Sequence, residues 1–407
     1  VFKMIDEAQS TIVLDMFLFN PEIGDSTRQH RPLTQELTQA LLNKKITQPH
    51  VEIKLITDPV NIVYGGIEAE HLHQHKKNGV DVIMTDLTAL RASNPAWSGF
   101  WYMCCQGLGN NPQGGWLNNP LGQGKITLRS YLDLINFKAN HRKILVVDSA
   151  QGWKALISSA NAHDGSSEHS NVAMVVHGKL ATEVLDTERA VAKFSQGDVP
   201  MVIMGDLPVQ ADLPAAQLLT ERAIQRKVVT SINSLKSGDQ LDLVMFYLAE
   251  REVINALVSA HQRGVKLRIL LDPNKDAFGR KKNGLPNRQV AFELHQANIP
   301  VRWCNTQGEQ CHSKMLLLSQ QNGAKQVILG SANYTARNLK NYNLETNVSV
   351  QGKASYPALA QAQAYFDRAW SNPNGEQISV DYAVYQEDSK PKYWLYRFLE
   401  WSGLSTF

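Results

Sequence analysis

The chain repeats itself. Residues 51–59 read VEIKLITDP and residues 265–273 read VKLRILLDP. Both alternate early, run apolar, then stop at Asp-Pro, the pattern of a buried strand ending in a turn. Upstream, IVLDMFLFN (12–20) is matched by LDLVMFYLA (241–249). Downstream, LHQHKKNGVDV (72–82) is matched by ELHQANIPVRW (293–303), a helix end followed by a new strand. HRKILVVD (141–148) is matched by HSKMLLLS (312–319), and SSAN (158–161) by GSAN (330–333). Each half then closes on a helical stretch, 181–194 and 358–370. Six matched segments in one order restrict the chain to two copies of one plan.

Strands alternating with helices predict α/β layers, with helices covering a sheet in each copy. The ILVV and MLLL runs read as strands buried on both faces. The expected fold is two homologous α/β lobes. The boundaries read 1–200 for the first lobe and 215–407 for the second. A stretch at 196–218, with Gly197, Pro200, Gly205, Pro208 and Pro214, is the natural joint. The first half is longer around 20–35 and between about 86 and 138. The second carries an aromatic tail from about 375 to 407.

Two His-x-Lys pairs stand at equivalent points. Residues at i and i+2 of a strand share a face, so His141 and Lys143 point together, as do His312 and Lys314. One such pair is usually an accident of packing. Two, each followed by Ser-x-Asn, are not: His141 to Asn161 spans 20 residues and His312 to Asn333 spans 21. Imidazole beside ammonium, twice, suits an anionic substrate. One imidazole can attack phosphorus. The other can protonate the leaving oxygen and activate the acceptor. The lysines and asparagine amides can neutralise the non-bridging oxygens, with Ser159 and Ser331 in support, and no metal or cofactor is required.

HRKILVVD with SSAN, and HSKMLLLS with GSANYTARNLKNYNLE, resemble the paired His-x-Lys-x4-Asp signatures of the phospholipase D superfamily. The resemblance covers nearly the whole chain. It implies two homologous α/β/α lobes related by a pseudo-twofold with the active site at their interface, a phosphohistidine intermediate and no required metal. By family order it makes His141 the nucleophile and His312 the general acid/base. Two departures stand out. The first motif ends in Asp148, but the second ends in Ser319. The family also places a carboxylate downstream to hold each imidazole's tautomer. Glu345 fits for His312. The matching SSEHSN of the first half has none at the aligned point, which leaves Glu168 or Asp164, or more weakly Ser170.

Charge narrows the substrate. There are 41 basic and 38 acidic residues, a net charge of +3, which is weak footing for a nucleic-acid partner. The 86–138 insertion carries Trp97, Phe100, Trp101 and Trp116, and the tail carries Trp394 and Trp401 beside Lys392 and Arg397. Aromatics next to basic residues suit a membrane interface; packing as a satellite core and a docked terminal helix are the competing expectations. The reading is therefore phospholipase D-type hydrolysis or phosphatidyl transfer on phospholipids. A nuclease or other phosphodiesterase, and a headgroup-binding pseudoenzyme, are the alternatives. No run reaches the roughly 20 apolar residues of a membrane span. The sequence opens on Val1 rather than Met, so a native segment ahead of it is expected. The protein is expected at a membrane, peripherally or through such an anchor, in a compartment the sequence leaves open.

Three smaller features remain. His71 and His75 share a helical face, yet no third metal ligand is apparent, so a solvated helix is expected. GRKKNG (279–284) reads as a solvated basic turn. Cys304 and Cys311 bracket a polar loop and are either a disulfide or two thiols; Cys104 and Cys105 fit no zinc spacing.

Overall fold

The computed structural model describes residues 1–202 and 213–405. Much of the expected joint therefore falls on 203–212, outside the described residues. The chain forms two compact units. The first gathers Val1–Glu168, the stretch that begins at Val175, and the short segment Tyr342–Leu344. The second gathers His169–Met174, the C-terminal half up to Asn341, and the residues from Glu345 onward. Each unit thus holds a short segment from the other half of the sequence.

The first unit is built on a six-stranded sheet. Its strands are β1 (Thr11–Met16), β2 (Glu52–Thr57), β3 (Asp81–Met84), β4 (Lys143–Val147), β5 (Lys154–Ser158) and β6 (Ala173–His177), in the order β3-β2-β1-β4-β5-β6. β1 runs parallel to β2 and antiparallel to β4. Ile12, Val13 and Leu14 are all buried, as a strand covered on both faces requires. Leu37 and Leu41 of α1 (Leu33–Thr47) and Leu72 of α2 (Glu70–Lys77) pack on Leu14, Ile53 and Leu55. The insertion folds into α3 (Pro95–Cys104) and α4 (Leu128–Leu134) with short turns between. On α5 (Lys179–Phe194), Ala181, Val184, Leu185, Val191 and Ala192 form one buried stripe, and the helix packs on β4 and β5.

The second unit repeats the plan. Its strands are β7 (Ala215–Thr220), β8 (Gln240–Met245), β9 (Lys266–Leu271), β10 (Val301–Cys304), β11 (Lys314–Ser319), β12 (Ala324–Gly330), β13 (Thr346–Lys353) and β14 (Ser379–Asp381). Their order is β14-β10-β9-β8-β11-β12-β13-β7. The central run β10-β9-β8-β11-β12 has the same order as β3-β2-β1-β4-β5. Helices α6 (Arg222–Asn233), α7 (Arg251–Gln262) and α8 (Asn287–Gln296) bury Ile224, Val228, Ile254, Leu257, Val290 and Leu294 against Leu243, Ile269 and Leu316. Helix α9 (Pro357–Ser371) lies against β12 and β13. The tail forms α10 (Lys390–Ser402), docked on the core through buried Tyr396. The expected pair of α/β lobes, each with its own large sheet, is present.

One expectation is corrected. The His71 and His75 face is not solvated. His71 Nε2 bonds the Phe19 carbonyl at 2.6 Å, and both rings pack on Phe19. His75 is fully buried, and neither ring nitrogen has a hydrogen-bond partner. Among the described residues no cluster of His, Cys, Asp or Glu is arranged to hold a metal.

Burial, helped by the charge of His71, pushes His75 down to about 4 from an ordinary value near 6.5. The unfolded chain therefore binds a proton that the folded chain refuses between pH 6.5 and 4. Stability is full above pH 6.5 and falls as pH drops through that window, by up to about 3 kcal/mol from this group. We expect His75→Leu to flatten the acid limb of stability against pH, measured by urea unfolding between pH 7 and 4.5.

Candidate active site

Each His-x-Lys pair enters the first position of a central strand. Lys143 opens β4 and faces Met16 of β1; Lys314 opens β11 and faces Met245 of β8. His141, Lys143, His312 and Lys314 are all at least nine-tenths buried. Each lysine folds back onto its own histidine's carbonyl oxygen, Lys143 Nζ at 2.5 Å and Lys314 Nζ at 2.7 Å. Each pair also shares one aromatic ring. Phe17 lies 4.8 Å from the His141 ring and 4.8 Å from Lys143 Nζ. Phe246 lies 4.9 Å from the His312 ring and 5.1 Å from Lys314 Nζ. Sequence reasoning passed over these two phenylalanines. The signal was there, as the shared Met-Phe of the repeat.

The residue ahead of each histidine is held by an aspartate. Asp58 Oδ2 accepts the Asn140 backbone N–H at 2.7 Å, while Oδ1 accepts that of Val60 at 2.8 Å. Asp272 Oδ2 accepts the Cys311 N–H at 2.7 Å, while Oδ1 accepts that of Asn274 at 2.7 Å. The Asp-Pro pairs do end their strands, and they also fix the turn that presents each imidazole. Burial pushes Asp58 up to about 7 and Asp272 up to about 6, against the backbone N–H groups they accept. A second backbone tether follows the same symmetry. The His141 N–H donates to the Leu344 carbonyl at 2.9 Å, and the His312 N–H to the Ser170 carbonyl at 2.9 Å.

The side chains at 140 and 311 differ. Asn140 Nδ2 donates to both Asp15 oxygens at 2.9 Å and to Thr85 Oγ1 at 3.1 Å. Cys311 is instead joined to Cys304 in a disulfide. The middle residues of the motifs turn away from the histidines. Arg142 pairs with Glu188 of α5 at 3.0 Å, and Ser313 bonds Tyr365 of α9 at 2.7 Å.

The imidazole partner expected for His312 is corrected. His312 Nδ1 lies 3.1 Å from Asn171 Oδ1. Asn171 Nδ2 donates to the His169 carbonyl at 2.9 Å, which fixes the amide's orientation. Nδ1 therefore carries a proton, and in the neutral ring Nε2 holds the lone pair. An amide does at His312 what Glu345 was expected to do. Within its own unit Glu345 accepts from Ser331 Oγ at 2.5 Å and from Asn338 Nδ2. Glu168 pairs with Arg28 at 3.1 Å, and Asp164 accepts the Thr34 N–H at 2.8 Å. His169, outside either motif, packs 5.8 Å from the His312 ring and 5.9 Å from Phe278. Asn161 and Asn333 are buried, and the Oδ1 of each lacks a hydrogen-bond partner. Gly330 opens the second Ser-x-Asn because a Cβ there would meet the Thr346 carbonyl at 2.3 Å.

Residues 228–370 match the model of a family described as cardiolipin synthase, PLD-like domain. That span takes in His312, Lys314, Asn333 and Glu345. Residues 228–370 carry a phospholipase D-like domain. The resemblance read from the paired motifs is borne out. No curated protein matches the sequence. Among solved structures, phosphatidylserine synthase of Haemophilus influenzae Rd KW20 is similar, with a TM-score of 0.62 at 12% identity over 98% of this chain and 89% of that one. Polyphosphate kinase from Porphyromonas gingivalis is similar with a TM-score of 0.52 at 14% identity, over 98% of this chain and 50% of that one. Both likenesses are of fold.

The loss of the motif's last acid from the phospholipase D-like domain has a structural explanation. In the first unit, Asp148 sits at the far end of β4 from His141. It accepts the backbone N–H groups of Ser10 and Thr11 and the Ser10 hydroxyl, at 2.8–3.0 Å. Burial alone would raise its pKa, but these donors hold it below the usual carboxylate value. In the second unit the acid comes from the other strand, for Asp239 Oδ1 accepts the Gln321 N–H at 3.0 Å. Ser319 is left only a long contact, at 3.4 Å, with Gln363.

The aromatic residues divide. Trp101 is only 3% exposed, with Arg129 stacked 5.5 Å over it, and Trp97 Nε1 donates to the Leu132 carbonyl. Trp101 is thus buried within the insertion, and Trp97 is half-buried there. Phe100 (49%), Trp116 (65%), Trp394 (70%) and Trp401 (80%) are exposed. On the basic turn Arg280 and Lys281 are exposed, but Lys282 turns in toward Tyr247 and Phe246.

Two outcomes follow. Asp148→Ala should cost about 1–3 kcal/mol of stability through unmade backbone hydrogen bonds while leaving kcat within about twofold. Urea unfolding beside a turnover assay checks this. Asn171→Asp should raise the His312 pKa by about one unit, because a carboxylate favours imidazolium. A matching alkaline shift of one limb of the pH–rate profile is the readout.

Proposed function

We propose that this chain cleaves or transfers phosphodiesters of glycerophospholipids through a covalent phosphohistidine. The observation that carries the proposal is the duplicated support of two histidines. Each has a lysine on its carbonyl, a phenylalanine against its ring and a buried aspartate fixing the residue ahead of it. A fold has little reason to build this arrangement twice unless both imidazoles act.

In the proposed reaction His141 Nε2 attacks phosphorus. The bond to the leaving alcohol breaks, and His312, protonated on both nitrogens, gives that oxygen its Nε2 proton. Water or a second alcohol then loses a proton to His312 and attacks phosphorus, breaking the P–N bond and releasing His141. Lys143, Lys314, Asn161 and Asn333 neutralise the non-bridging oxygens. The Asn171 amide orients His312 without adding negative charge, so the proton is released more readily than from a carboxylate-paired imidazole.

A lipid substrate is favoured by the exposed aromatics. On α10, Tyr396 anchors the helix while Trp394, Phe398 and Trp401 stay open to solvent beside Lys390, Lys392 and Arg397. Aromatic rings with basic neighbours are what a peripheral helix offers a lipid surface. No helix among the described residues is long and apolar enough to cross a membrane. We place the protein peripherally at a membrane, with His141, Lys143, His312, Lys314, Asn161 and Asn333 as its site.

The test compares phosphatidylglycerol vesicles with single-stranded DNA as substrates for one preparation. We expect headgroup release from vesicles and an inert DNA arm, with His141→Ala and His312→Ala each lowering turnover about a thousandfold or more. DNA cleavage with inert vesicles would replace the lipid reading by the nuclease one. Full activity in either histidine variant would remove the mechanism.

A further inference from the structure

The register of the two sheets equates particular residues. Leu55 of β2 pairs with Val82 of β3, and Ile269 of β9 pairs with Val301 of β10. The Asp-Pro repeat makes Leu55 and Ile269 equivalent. Three residues on, Thr85 of the first unit therefore stands where Cys304 stands in the second. The His-x-Lys repeat likewise equates Asn140 with Cys311, and the shared Met-Phe equates Asp15 with Val244. In the first unit these three positions form a buried polar cluster, Asn140 bonded to Asp15 and Thr85. In the second, the same three are a valine and two cysteines joined to each other.

The first unit thus ties the residue ahead of His141 to the end of β3 by hydrogen bonds. The second ties the residue ahead of His312 to the end of β10 by a covalent bond. The polar partners are replaced together, as they must be. Asn140 without Asp15 would leave a buried amide unsatisfied, and Asp15 without Asn140 a buried carboxylate. Cys304 and Cys311 are each 5% exposed, so the bond is packed into the unit. Cys311 is also the residue whose N–H Asp272 accepts.

We propose that the Cys304–Cys311 disulfide is a positioning bond for His312, the covalent counterpart of the Asn140–Thr85 hydrogen bond. The proposal rests on the catalytic reading of His312 given above. Its consequence is a redox requirement in one half of the site. A dithiol supplies two electrons and two protons, the S–S bond becomes two thiols, and the dithiol closes to its own disulfide. The backbone ahead of His312 then keeps the Asp272 tether but loses its covalent tie to the end of β10. Because both sulfurs are buried, reduction needs local opening and is slow.

The full chain is incubated with dithiothreitol, and opening of the bond is followed by maleimide mass labelling of Cys304 and Cys311. Turnover of phosphatidylglycerol vesicles and the NMR titration of the His312 and His141 ring protons are then recorded. We expect kcat to fall about tenfold or more, since small misplacements of a reacting group cost that much, with KM little changed. The His312 titration should move while that of His141 stays put, which a general loss of structure would not produce. The unreduced Cys304→Ala/Cys311→Ala variant should reproduce both changes. Cys104→Ala/Cys105→Ala should respond to the dithiol as the unsubstituted chain does. Labelled cysteines with unchanged kcat and an unchanged His312 titration would overturn the proposal. If the oxidised chain leaves vesicles untouched, the lipid reading fails instead, and the NMR arm alone decides the positioning role.

Discussion

A buried carboxylate with two backbone N–H groups on it is the part on which the rest of each site depends. Asp58 and Asp272 close a strand and receive the chain again just ahead of the imidazole. Each binds its own turn with one oxygen and the loop that leads into the histidine with the other. A loop carried only by its side chains would let the ring drift. Here the ring's own backbone is fixed from two directions, by the aspartate and by the carbonyl at 344 or 170. The lysine's bond to the histidine carbonyl adds a third. Burial keeps these bonds in a low-dielectric setting where they are strong and costly to break.

The two units solve one geometric problem with different chemistry. A polar triad steadies residue 140 and a disulfide steadies residue 311. An aspartate after β4 ties the end of one central strand pair, while an aspartate ahead of β8 ties the end of the other. The amide of Asn171 stands on His312 where a carboxylate was expected. The two histidines thus stand in the same backbone frame with different side-chain surroundings.

Much of this was legible in the sequence. The repeat pointed to two α/β lobes built on one plan, because VEIKLITDP and VKLRILLDP carry hydrophobic period and turn signal together. The His-x-Lys and Ser-x-Asn pairs were legible because their spacing is kept through the repeat. Three things were not. Segments 169–174 and 342–344 join the unit of the opposite half, and no local pattern reports a long-range partner. The Asn171 partnership was hidden because an amide stood where a carboxylate was sought. Trp101 and Trp401 look alike in sequence, yet one is covered by Arg129 and the other is 80% exposed. That distinction is tertiary, set by the turn of α3 against α4.

The central claim is that phosphorus passes through a nitrogen of this chain. Rapid mixing with phosphatidylglycerol vesicles, an alkaline quench and peptide mass spectrometry test it most directly. The account predicts an acid-labile phosphatidyl adduct on the His141 peptide that forms before product and vanishes with it. Undiminished turnover with neither histidine peptide ever modified would contradict it.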